Sequence, residues 1–246
     1  MALRRVTATA SVVLAPNPGP MTLEGTNTWV LRDPAAEGCV VVDPGPLHEE
    51  HLALVAAQGP VEVVLLTHGH LDHSEGARRL AELTGARVRA LDPALRLGDE
   101  GLFDGDVVAA AGLEVRVLAT PGHTSDSLSF VLSDAVLTGD TVLGRGTTVV
   151  AHPDGVLADY LGSLRLLREL GSATVLPGHG PELPSAGAAA EHYLAHRRTR
   201  LEQVRAAVEA GARTPDEVVA VVYAEIDRAL WPAARLSVLA QLAHLS

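Results

Sequence analysis

Three histidines and an aspartate crowd together just after a run of β-forming residues in "VVLLTHGHLDHSEGA", Val63 to Ala77. His68, His70, Asp72 and His73 follow directly on Thr67, in a chain with eleven histidines in all. Neutral imidazoles and carboxylates are lone-pair donors for divalent cations. On a helix, positions i and i+2 point about 200° apart. His68 and His70 therefore converge only in a loop leaving a strand, and Gly69 supplies the backbone freedom for one. The same arrangement of apolar run, turn and donor recurs downstream: "VRVLATPGH" ends in His123, "AVLTGD" ends in Asp140, and "TVLPGHG" holds His179. Seven donors thus issue from strand ends, namely His68, His70, Asp72, His73, His123, Asp140 and His179. That exceeds one tetrahedral site and suits two metal ions sharing a carboxylate. Zinc ranks first for such a donor set, with iron or manganese second.

The elements that must position these donors can be read along the chain. Residues 1 to about 180 alternate short β-branched runs with Gly, Pro and Asp turns, and strands are predicted at "TNTWVLR", "GCVVVD", "VEVVLLT", "ARVRAL", "LEVRVLAT", "LSFVL", "AVLTG" and "ATVLPG". "MALRRVTATASVVLA" reads as a first strand rather than a leader, because Thr and Ser interrupt its apolar run and "PNPGP" follows at once. Helices are predicted over 47–58, 74–84 and 157–170, so the class is α/β, a sandwich with helices on its sheet faces. After "GHGPELP" a long helix is predicted over 187–210, closed by Gly211. Thr214, Pro215 and Glu217 form a capping-box start for the next helix, and "WPAARLSVLAQLAHLS" forms the last. Residues 1–186 are expected as the catalytic domain and 187–246 as a small all-helical module.

Composition narrows the partners. Hydrophobic residues make up 47% of the 246, yet only seven are aromatic (two Trp, three Tyr, two Phe), so the core must be built from Val, Leu and Ala. Every basic residue is Arg. The net charge is −11, and because residues 187–246 hold seven Arg and seven acids, the whole deficit lies in 1–186. Such a surface opposes non-specific binding to nucleic acid or anionic membrane. The single cysteine, Cys39, excludes an internal disulfide and a multi-cysteine zinc knuckle; inside "CVVVD" it reads as a buried strand residue. No stretch approaches the roughly 18 apolar residues of a transmembrane helix, and a cytoplasmic location is expected.

"THGHLDH", "PGHTSDS", "TGDTVLGRG" and "PGHG" together resemble the metallo-β-lactamase superfamily over about residues 10 to 180. The resemblance implies an αββα sandwich. It also implies one metal on His68, His70 and His123, a second on Asp72, His73 and His179, and Asp140 as the bridge. Asp140 stands where the zinc β-lactamases of the best-known class carry Cys, which argues against antibiotic hydrolysis. "NPGPMTLEGTNTWVL", "LGRGTTVV" and "HYLAHRRTRLEQV" before a helical tail are similar to the β-lactamase-like-protein-2 group. Its members include a single-strand-specific endoribonuclease and thioesterases of carrier-bound polyketides, with a winged-helix-like C-terminal module. Here the sequence stops at Ser246, where the hairpin wing would begin, so a truncated module is expected.

The expected activity is hydrolysis by metal-activated hydroxide, which forms near neutral pH because a metal lowers the pKa of its bound water to about 7. Asp72 or a metal-bound water would protonate the leaving group. Ligating histidines pass their other N–H to an acceptor, and Asp43 is the first candidate, with Thr124, Ser125 and Asp126 beside His123. Asn27 is a candidate for facing the pocket, and His196, Arg197 and Arg200 for gripping a phosphate or carboxylate. His48 and His51 read as surface helix. An anionic small thioester, ester or lactone is favoured over single-stranded RNA, because stacking platforms and basic tracks are few. A non-catalytic module that keeps metals for folding is the alternative of another class, but structural zinc sites are closed and seven donors leave room for water. A glyoxalase-II-like basic C-terminal pattern is not evident, and no flavodoxin-like domain fits for an oxygen reductase.

Overall fold

A computed structural model describes residues 2–246. Its N-terminal stretch contains two strands, not one: β1 (Leu3–Arg5) and β2 (Ala10–Leu14) pair as a hairpin. The Thr7 hydroxyl turns the chain by accepting from the backbone N–H groups of Thr9 and Ala10. β3 (Asn27–Leu31), β4 (Cys39–Val42), β5 (Val61–Leu65) and β6 (Arg87–Arg89) complete a six-stranded mixed sheet in sequential order. Its first four strands are antiparallel, and β4, β5 and β6 run parallel to one another. Parallel neighbours need crossovers, here supplied by α1 (Glu49–Ala56) between β4 and β5, then by α2 (Leu71–Ser74) and α3 (Ala77–Thr84) between β5 and β6.

The second sheet contains β7 (Val107–Ala110), β8 (Leu113–Ala119), β9 (Leu128–Val131), β10 (Ala135–Gly139) and β11 (Thr174–Pro177), in the order β11-β10-β9-β8-β7. β10 and β11 are parallel, linked through α4 (Leu157–Arg168). β7 has no counterpart among the predicted strands, because "VVAA" is too short and too alanine-rich to stand out in the sequence. The helix predicted over 74–84 begins later, as α3, and the single turn of α2 precedes it.

Two-residue alternation decides what each strand buries. In β4, Val40 and Val42 face the second sheet, where they join Trp29, Val63, Val117 and Phe130; Cys39 and Val41 face outward under Leu52 of α1 and Leu80 of α3. Cys39 is fully buried, as its sequence context predicted. On the far side, Val136 and Val175 pack against Tyr160 and Leu164 of α4 and against Tyr193 of α5 (Ala186–Glu209). The layers are therefore α, β, β, α. Burying a side chain such as Phe130 between the sheets contributes roughly 1.5–3 kcal/mol.

α5 belongs to both halves of the molecule. Its first half packs on α4, while Val204 and Ala207 in its second half form a separate cluster with α6 (Pro215–Val222) and α7 (Trp231–Leu245). α6 starts as predicted: the Thr214 hydroxyl accepts from Glu217 N, and the Glu217 carboxylate accepts from Thr214 N. Among the described residues no helix is long and apolar enough to cross a membrane.

Candidate metal centre

Every donor singled out above follows a strand. His68 and His70 lie in the loop after β5, Asp72 and His73 on the single turn of α2, His123 beyond β8, Asp140 directly after β10, and His179 after β11. The Ser74 hydroxyl folds the His-rich loop back by donating to the carbonyls of Gly69 and His70. The seven residues converge into groups with ligand atoms within 4.8 Å of one another: His68, His70 and His123; His68, His73 and Asp140; Asp72, His73 and His179.

Tautomers follow from what stands behind each ring. His73 Nδ1 donates to Asp43 Oδ2 at 2.8 Å, His123 Nδ1 to Val149 O at 2.7 Å, and His179 Nδ1 to Gly25 O at 3.2 Å. The Thr67 hydroxyl donates to Asp43 Oδ2 at 2.6 Å, so it accepts from His68 Nδ1 at 3.0 Å. Each of these four rings therefore turns its Nε2 inward. The inward nitrogens face one another closely: His68 Nε2 is 3.1 Å and His123 Nε2 3.0 Å from His70 Nδ1, and His73 Nε2 is 3.2 Å from His179 Nε2. Lone pairs held so near one another repel unless a cation or proton lies between them. Asp140 is buried at their centre, 3.4 Å from both His73 and His179 and 3.8 Å from His123, and its Oδ1 has no hydrogen-bond partner. An orphaned buried carboxylate oxygen among inward imidazoles is what a divalent cation satisfies. The residues fit a divalent metal site.

Electrostatics in the metal-free protein carry the same signature. Burial opposes charging His73, yet Asp140 and then Asp43 outweigh it and hold its pKa well above the usual imidazole value. His179 is likewise opposed by burial but raised to about 9, first by its hydrogen bond to Asp140. Burial pushes the Asp140 carboxyl up, and His73 and His179 more than reverse this, leaving it well below the ordinary range. His68 shows the opposite balance: burial and the neighbouring His73 depress it. The cluster thus favours the charged form of His73 and His179, the place a cation would otherwise take.

Asp43 behaves as expected of a carboxylate behind a ligand. It adopts a left-handed backbone (φ 51°) and also accepts from Thr67 N at 2.8 Å, so one carboxylate orients both His73 and, through Thr67, His68. Gly178 leaves room for the centre: a Cβ there would lie 2.5 Å from Asp140 Oδ1.

Other expectations fare differently. Thr124 and Asp126 bond to each other, and Thr124 to Ser127, not to His123; they cap their own turn, and the acceptors for His123 are Val149 O and the Thr148 hydroxyl at 3.2 Å. Ser125 bonds to Asp154. The Asn27 amide is engaged by Pro177 O and Gly180 O at 3.0 and 2.8 Å, so it braces the His179 loop from behind and does not face the pocket. His48 caps α1, but His51 is fully buried, 2.9 Å from the Thr28 hydroxyl, where a surface position was expected. Thr67, Thr148 and Val149 were missed. Thr67 could have been found as the residue joining strand to motif, whereas a backbone carbonyl leaves no trace in side-chain identity.

His196, Arg197 and Arg200 border a chamber of about 310 Å³ that runs from His123 and Asp140 to the C-terminal helices. Arg197 is buried, stacks over Tyr160 at 5.0 Å and donates to Thr148 O. That corrects its reading as a substrate grip: its guanidinium holds the loop behind His123. Arg200 stacks over Tyr223 at 4.7 Å and donates to Val222 O at 2.7 Å. Burial, then the charges of Arg197 and Arg200, lower His196 to about 4, so it is neutral near pH 7.

Comparison with known proteins agrees with this geometry. The family model described as metallo-beta-lactamase superfamily matches residues 21–179, and that described as beta-lactamase associated winged helix domain matches residues 214–246. A beta-lactamase-like protein 2 homolog of Caenorhabditis elegans is 33% identical over 78% of this chain and 68% of its own. An atrochrysone carboxyl ACP thioesterase of Aspergillus fumigatus is 36% identical over 80% of this chain and 64% of its own. The chain thus spans about two thirds of the length of each. A crystal structure of a beta-lactamase domain protein from Burkholderia ambifaria superposes with a TM-score of 0.85 at 24% identity, covering 99% of this chain and 87% of that one. With donors, sandwich and tail all in agreement, the chain belongs to the metallo-beta-lactamase superfamily.

Proposed function

We propose that this protein is a binuclear, zinc-dependent hydrolase of small anionic thioesters, esters or lactones. The observation that carries this reading is the ring of inward imidazole lone pairs around the unpartnered Asp140 Oδ1, at the end of a chamber large enough for a small molecule. In this reading His68, His70 and His123 would hold one ion, Asp72, His73 and His179 the other, with Asp140 available to both. Imidazole and carboxylate without thiolate favour zinc, with iron or manganese as the other candidates. Bound divalent ions supply Lewis acidity and an activated water near neutral pH.

The remaining steps belong to side chains. Asp72 is the acid of the cluster that reaches solvent, with its side chain 30% exposed and its Oδ2 3.1 Å from His179 Nε2. Although burial raises its pKa, the bond to His179 more than reverses this, so it starts ionised and able to take a proton and return it to the leaving group. Arg200 and neutral His196 border the chamber that would take the substrate. Residues 1–186 form the catalytic unit and 187–246 the helical one, a division supported by the two separate hydrophobic clusters along α5. The thioesterase name of one relative supports a thioester in particular.

Asp140→Asn should remove metal and turnover together while the fold persists by circular dichroism; full turnover in this variant would refute the shared-carboxylate assignment. Purified protein should hydrolyse members of a thioester panel and leave labelled single-stranded RNA intact. RNA cleavage lost on His68→Ala, with every thioester untouched, would replace this reading with that of an endoribonuclease.

A further inference from the structure

The chamber beside the metal donors is walled from two directions. Met21 and Leu23 come from the loop between β2 and β3, Leu143 from the segment after β10, Ile226 and Leu230 from the connection between α6 and α7, and Ala233 from α7. Its cations are already answered by the protein. Arg145 pairs with Glu24 at 2.6 Å, Arg200 is held by Val222 O and Tyr223, and Arg197 by Thr148 O and Tyr160. Most of the remaining lining is hydrocarbon, which favours an apolar occupant. At about 310 Å³ it has roughly twice the volume of an engineered apolar cavity that takes up benzene.

We infer that this chamber is an acyl pocket: the scissile carbonyl lies at the His123 and Asp140 end, and an apolar acyl chain extends from it toward Leu230 and Ala233, so that the C-terminal helices select the length of the acyl group. The inference rests on the hydrolase reading and narrows its substrate. The chamber is too small for a coenzyme or a carrier protein, so the thiol part of a thioester stays on the open side with Asp72 and the exposed Leu71. In the reaction water adds to the carbonyl carbon and the C–S bond breaks. One proton of water goes to the departing sulfur, and the acyl group leaves as a carboxylate after losing the other.

Two measurements test this on the full-length, metal-loaded protein. The first is calorimetric binding of acetate, butanoate, hexanoate and octanoate, the free carboxylates of the products, which needs no turnover. Affinity should rise about fourfold per buried methylene up to the length the chamber holds. Ala233→Leu should cancel the gain for the longer members, and Leu230→Ala should move the optimum toward longer ones. The second is kcat/KM over the matching acyl thioesters, which should follow the same order in all three proteins. A flat binding series, or two variants that shift the optimum in the same direction, overturns the acyl pocket. Chain-dependent binding with no thioester hydrolysed retains the pocket and overturns the thioesterase reading instead.

Discussion

Asp43 shows how much of the centre rests on one side chain outside the donor set. Its two oxygens accept from Thr67 N, the Thr67 hydroxyl and His73 Nδ1, all buried. Asp43→Ala leaves three donors without partners and frees both His73 and His68 to rotate. Apparent metal affinity should fall by about 10- to 100-fold, read by competition with a chromogenic chelator, and an unchanged affinity would show that the rings are oriented by something else. Asp43, like the seven donors, was legible because a polar residue ending an apolar strand has few reasons to be there. Thr124, Asp126 and Asn27 were misread for a related reason. Short polar side chains next to a motif satisfy nearby backbone as readily as a distant ligand, and only coordinates tell the two apart. His51, expected on a surface helix, is buried and bonded to Thr28 of β3.

Between residue and molecule stands the segment 147–151, which explains why a helical tail matters to a metal site. Val149 O orients His123, Ala151 N donates to His123 O, and the segment is clamped from outside by two C-terminal helices: Arg197 of α5 donates to Thr148 O, and Ser237 of α7 accepts from Val150 N at 3.3 Å. Arg197→Met keeps an apolar stem over Tyr160 but removes the donor, leaving the Thr148 carbonyl unsatisfied at a cost of about 1–3 kcal/mol. The expected result is selective loss of the ion at His68, His70 and His123. Metal content should approach one ion per chain, with kcat falling more than KM changes; two tightly held ions in the variant would break the link. Strands and helices were legible here from their periodicity, since β4, β5, β10 and α5 fall within a residue or two of their predicted spans. The clamp was not legible, because it joins residues some fifty and ninety positions apart through main-chain atoms.

At the scale of the whole molecule, protons and metal ions compete for one buried cluster, so the pH dependence of stability should reverse sign on loading. In the metal-free protein His179 is raised from 6.5 to about 9, and its pairing with Asp140 and Asp72 stabilises the fold fully below about 6.5 and is lost as pH rises through 9. Asp140, held well below its ordinary 3.8, contributes above that value and loses its contribution as pH falls toward its depressed pKa. The metal-free protein should therefore melt highest in mildly acidic solution and lose stability toward pH 9. Bound cations require the same imidazoles deprotonated, so loading releases the protons of His73 and His179, and apparent metal affinity climbs over that interval. The difference in Tm between loaded and metal-free protein should widen steadily from pH 6 to pH 9, with proton release seen as a buffer-dependent binding enthalpy. A difference that stays constant across that range would mean that His73 and His179 are not where the ions bind.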